Sequence, residues 1–291
     1  MDSLFWPVLI VVSKWGIYAA MIVLLGSFYW QQTVGGRFES SIVMSAPSLI
    51  VWSIIGLVSV ALQFFSQTGM LADDGLQGAV SSFMMQIVWS TGAGDATRWR
   101  AIGFALAFFA ILASSQNKVW KASSLVMQLS TATALIGAFL FTGHTAEMSP
   151  WYGALLTTHV LVAVWWFGAL LPMRKACQHD AVDVLLPWLV RFGEQASVLV
   201  LIMAVMGAVL AYAIVGTVHN LLFTGYGWLL MGKVLLFCGI LFLAARHKLS
   251  LVPAIHTSGD VRQFVASLNV EIVVAVVLLV VTSVLTSLVG V

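Results

Sequence analysis

Long apolar runs separated by short polar breaks dominate the chain. They lie near 5–30, 47–67, 99–115, 122–142, 152–173, 192–217, 227–245 and 264–289. A helix needs about 20 mostly apolar residues to cross a hydrocarbon core, so the pattern predicts eight membrane-spanning helices. The strands of a membrane barrel would instead alternate apolar and polar positions over about ten residues. A ninth stretch, about 77–91, is shorter and is interrupted by Gln77, Ser81, Ser82, Gln86 and Ser90. It predicts a short interfacial helix rather than a span. The expected fold is an all-α polytopic membrane protein.

Composition excludes the main alternatives. Of 291 residues, 61% are apolar and only 8% are charged, whereas a soluble domain carries about 25% charge. Disordered chains have the opposite bias. A net charge of +2 with no basic block gives no footprint for nucleic acid. Cys177 and Cys238 form neither a disulfide framework nor a zinc motif. The apolar run after Asp2 reads as a retained first span, not a cleaved signal.

Basic residues set the expected orientation, because they concentrate in cytoplasmic loops. With 77–91 outside the span count, Arg37, Lys118, Lys121, Arg174, Lys175, Arg191, Arg246, Lys248 and Arg262 fall on one side. Only Arg98 and Arg100 fall on the other, and Lys14 and Lys233 lie within spans. This predicts both termini, and the interfacial helix, on the periplasmic side of a bacterial inner membrane. Residues 1–291 read as one integral membrane domain with a soft division into two four-helix halves, about 1–175 and 185–291.

An ionisable residue inside a membrane marks a candidate functional site. Lys14, Glu194, Lys233 and Glu271 qualify by position; Glu194 and Lys233 lie near span ends, where side chains can snorkel to the headgroups. For Lys233 and Glu271, pairing between helices and a role in moving an ion both fit. The segment Phe141-Thr-Gly-His-Thr-Ala-Glu-Met148 ends one span with His144, and Thr157-Thr-His-Val160 places His159 about two turns into the next. A short connection makes these helices antiparallel neighbours, which can bring two imidazoles together near the outer surface. Glu147 and Met148 follow His144 at i+3 and i+4, on one side of a helical turn if that turn forms. Imidazole and thioether together suit copper, with the Met sulfur favouring Cu(I); two packing histidines are the competing description. Met203, Met206, Met84 and Met85 read as packing residues ahead of a copper relay. Cys177 and His179 read as ordinary loop residues ahead of a release site.

Several patches resemble the copper resistance protein D family (CopD, PcoD) of bacterial inner-membrane proteins. They are Gly143-His144, the helix His159-Val-Leu-Val-Ala-Val-Trp-Trp-Phe-Gly168 with Trp165 and Trp166, Tyr226-Gly-Trp-Leu-Leu-Met-Gly-Lys233, Ala244-Ala-Arg-His-Lys-Leu-Ser-Leu-Val-Pro253, Glu271, and Thr91-Gly-Ala-Gly94 with Arg100. A proline that often closes the family's last helix is missing, and Glu147 and Met148 match no family motif. The resemblance implies copper, as Cu(I) or Cu(II), received from a separate periplasmic carrier of the CopC type and passed inward. Metal capture then falls to His144 and His159 with Glu147 and Met148. Lys14, Lys233, Glu271, Trp165, Trp166 and Gly168 would hold helices or balance charge, with Gly143, Gly153 and Gly168 allowing close helix approach. Asp73, Asp74 and Asp95 would dock the carrier. Without a nucleotide-binding motif the expectation is a non-enzymatic membrane protein, not an ATP-driven pump. Two rivals stand beside it: a haem-bearing electron-transfer protein using His144 and His159, and a docking scaffold that binds a carrier without transport.

Overall fold

The computed structural model describes residues 4–34, 44–114, 120–143 and 147–288. Every regular element among them is helical. The helices are α1 (Phe5–Val34), α2 (Ala46–Ala72), α3 (Gly75–Ala79), α4 (Ser82–Trp89), α5 (Gly92–Ser114), α6 (Trp120–Gly137), α7 (Pro150–His179), α8 (Val182–Val215), α9 (Val218–Phe223), α10 (Gly225–Arg246), α11 (Val252–Ser258) and α12 (Arg262–Leu288). Eight helical stretches among the described residues are long and apolar enough to cross a membrane, as the hydropathy pattern predicts. The one formed by α10 and α11 runs continuously through a wider π-turn at His247–Leu251. In lipid every backbone polar group must be satisfied within the segment, so length and apolarity alone settle these elements.

Two expectations need correction. The 77–91 segment is two helices, α3 and α4, broken at Val80-Ser81. Arg100 is not in a loop: it lies inside α5 and is 4% exposed.

The chain divides into two compact units. Unit 1 is residues 1–24, 46–161 and 283–290; unit 2 is residues 25–45 and 162–282, with residue 291. In unit 1, α5 packs on α2 and α6. Gly56 leaves room for the Phe104 ring, and Gly69 does the same for Trp6. Arg98 fastens α4 to α5: it bonds the Trp89 carbonyl at 3.0 Å, lies 5.0 Å from the Trp89 ring centre and pairs with Asp95 at 2.9 Å.

In unit 2 the backbones of Gly26 and Gly168, on different helices, approach closely. Pro172 has no N–H for the Gly168 carbonyl four residues before it, and that same carbonyl group abuts Gly26. A Cβ at Gly26 would collide with backbone atoms, which cannot rotate away. Gly26→Ala should therefore cost about 1–3 kcal/mol, read as a lower thermal midpoint in detergent. Gly232→Ala, where a Cβ meets nothing within 4 Å, should leave the midpoint in place or raise it.

Between α11 and α12 the chain turns at Gly259 with φ 68°, and Asp260 Oδ1 accepts the Arg262 amide at 2.9 Å. The Arg262 side chain and amide hold the Asp260 carboxyl below its ordinary 3.8. A depressed value means the cap is complete above 3.8 and is lost only as pH falls through the lower folded value. Carboxyl-carbon NMR should give Asp260 a midpoint below 3.8 in the wild type and a higher one in Arg262→Gln.

Candidate functional site

Among the described residues, two groups of polar side chains inside the spans stand out. The first, in unit 1, is a layer. Lys14 lies nine residues from the start of α1, Arg100 eight from the start of α5, His159 nine from the start of α7, and Gln63 nine before the end of α2. At 1.5 Å per residue each sits about 12–14 Å from its helix end, and the four ends are on the same side when successive spans alternate. Arg100 Nη1 donates to Gln63 Oε1 at 2.9 Å, and its guanidinium lies 5.7 Å from the Phe139 ring centre. Tyr18 stacks on the same Phe139 ring at 5.8 Å. One turn earlier on α1, Lys14 Nζ donates to the Thr286 carbonyl at 2.7 Å and to its hydroxyl at 3.1 Å. That carbonyl belongs to the last turn of α12, where the helix dipole favours a cation.

The second group is in unit 2. Phe264, Ser267, Leu268, Glu271, Ala275 and Leu278 are the buried stripe of α12, at helical spacing. Glu271 is 1% exposed, and its Oε2 is 3.2 Å from His247 Nδ1. The other ring nitrogen of His247 is 2.8 Å from Ser267 Oγ. The Phe264 ring lies 4.8 Å away. His247 opens the π-turn ahead of Pro253. Pro253 cannot donate to the Leu249 carbonyl, so the helix there loses an α-type bond, and wide turns of this kind recur at functional sites. Glu271 Oε1 is buried without a hydrogen-bond partner.

His247 was not legible as a site residue. Arg246 and Lys248 flank it and make it look like part of a basic loop. A usable signal is its place in the Arg-His-Lys…Pro253 patch, one helical return away from a span carboxylate. Glu271 pairs with this histidine rather than with Lys233, which is half-buried in α10.

The remaining site residues fall as follows. His144 lies outside the described residues. His159 is half-buried in α7. Glu147 is exposed and Met148 half-buried, both in a bend ahead of Pro150, so the described residues hold no helical turn joining them to His144. Trp165 stacks on Phe192 at 4.9 Å and lines an open groove of about 590 Å³ with Tyr29, Glu194 and Gln195. Trp166 is 2% exposed. Asp73 and Asp74 are exposed at a turn where Asp73 adopts φ 50°, while Asp95 is engaged by Arg98. Cys177 is buried and His179 exposed; two residues apart in α7, they do not share a face. Met203 and Met206 are buried on one face of α8. Among the described residues no three His, Cys, Asp or Glu side chains converge as a metal cage.

Comparison with known proteins gives three results. The family model for a copper resistance protein D-like N-terminal domain matches residues 1–154, more than half of the chain. The model for copper resistance protein D matches residues 186–285. Copper resistance protein D of Pseudomonas syringae pv. tomato is 27% identical over 262 residues, covering 84% of this chain and 82% of that relative. No solved structure matches. With both halves of the sequence matched and eight apolar helices in place, this chain belongs to the copper resistance protein D family of membrane proteins.

Proposed function

We propose that the chain carries copper across the bacterial inner membrane, receiving it on the periplasmic side from a carrier of the CopC type. The observation that supports this best is the family membership of both halves, which makes copper resistance the biological role. His144 and His159 capture the ion. Imidazole binds copper in either oxidation state, and Met148 adds a soft sulfur for Cu(I). Asp73 and Asp74 form the acidic docking surface for the carrier, with both termini on that same side. Within unit 2, Glu271 and His247 supply a buried carboxylate and imidazole. Lys233, Trp165, Trp166 and Gly168 hold the helices of that unit.

Transport follows from uptake of radioactive copper by sealed vesicles holding only the purified protein. Uptake above that of protein-free vesicles, reduced when Asp73 and Asp74 are replaced by Asn and copper is presented on the carrier, is the expected result. Carrier binding with no uptake would replace transport by a docking role.

A further inference from the structure

Among the described residues, Arg100 is a buried cation with no carboxylate beside it. It is 4% exposed, it spends Nη1 on an uncharged amide, and its Nε is buried without a partner. The described acids of unit 1 are Asp73, Asp74, Asp95 and Glu147. The first two and Glu147 are exposed, and Asp95 is taken by Arg98. Lys14 adds a second positive charge one turn from Tyr18, which shares Phe139 with Arg100. Lys14, however, already rests on the α12 C-terminal carbonyl of Thr286. Among the described residues no carboxylate compensates the Arg100 charge, in a medium where desolvation costs several kcal/mol per ion. Arginine cannot discharge it by losing its proton.

The geometry points to a binding site for a single carboxylate on the Nε side of Arg100, in the polar layer of unit 1. Charge matching calls for a monoanion, since one guanidinium is left to neutralise. The planar fork of arginine fits the two oxygens of a carboxylate, and such charge-assisted pairs are about twice as strong as neutral ones. Gln63 fixes the guanidinium from its Nη1 side and Phe139 from its face, and Nε, buried without a hydrogen-bond partner, is the donor left for the ligand. Two sources have this chemistry: a free short carboxylate, or the carboxylate of a membrane-soluble molecule retained by the protein. The site does not depend on copper transport, and its binding test contains no copper.

Titration of the purified full-length protein with formate at constant ionic strength, followed by intrinsic tryptophan fluorescence, tests the free source. Organic extraction and mass spectrometry of the same preparation test the retained one. Either a saturable formate response or a stoichiometric co-purified acid is expected. Arg100→Gln should weaken the response at least tenfold or lose the acid. Should Arg100→Gln not fold, Arg100→Lys keeps the charge without the fork and should show the same loss. Formate without a saturable effect together with no co-purified acid would overturn the site. So would binding that persists unchanged in a folded Arg100 variant.

Discussion

Replacing Glu271 with Ala should destabilise the protein by about 2–5 kcal/mol, the usual cost of a large-to-small change in a packed interior with a buried polar partner left unpaired. The carboxylate is 1% exposed and faces His247 Nδ1 at 3.2 Å, while the far nitrogen of the ring is held by Ser267. Removing it opens a cavity in the α12 stripe and leaves an imidazole nitrogen in the interior with no acceptor. Glu271→Gln keeps the volume and an acceptor oxygen, so its cost should fall to about 0.5–1.5 kcal/mol, the net worth of one hydrogen bond. Thermal unfolding in detergent, followed by tryptophan fluorescence, measures both. Equal and small losses for the two variants would mean that the pair does not hold α12 to the π-turn. His247→Ala should resemble Glu271→Ala, and the double variant should cost less than the sum of the two, because the groups meet directly.

The hydropathy pattern carries the eight spans because a bilayer leaves the backbone few options. It fails where side-chain chemistry acts against local composition. Arg100 reads as the outer edge of a span beginning near 99, since charge is normally excluded from a span; α5 begins earlier, at Gly92, and buries Arg100 against the Gln63 amide, 37 residues earlier on α2. His247 looks like a loop residue for the same reason, and the carboxylate that buries it comes from another helix. The break at Val80-Ser81 escapes detection because neither residue is a strong helix breaker on its own. Glu271 was recognisable, being a short acidic side chain set too deep in α12 to snorkel. The partner of Glu271 was not recognisable, because nothing in a linear pattern ties position 247 to 271. The pairing of His144 with His159 falls on a residue outside the described ones, so chemistry has to test it.

The second large effect is therefore on metal. Two imidazoles account for most of the proposed affinity at the outer face, and Met148 and Glu147 only supplement them. Losing one imidazole from a site of so few strong ligands should weaken copper binding by at least tenfold, and losing both should abolish it. Met148→Leu should shift the preference away from Cu(I) while leaving Cu(II) largely bound, because only the thioether is specific for the soft ion. The fold should tolerate these changes: His159 is half-buried and the turn ahead of Pro150 is open.

Copper content of the purified protein, wild type against the His144→Ala/His159→Ala double variant, tests the central claim most directly. Elemental analysis after copper loading and desalting should find bound copper in the wild type and none above background in the folded double variant. An absorption spectrum of the same samples checks for a Soret band, the mark of haem in place of copper. A double variant that keeps its full copper load would contradict the account.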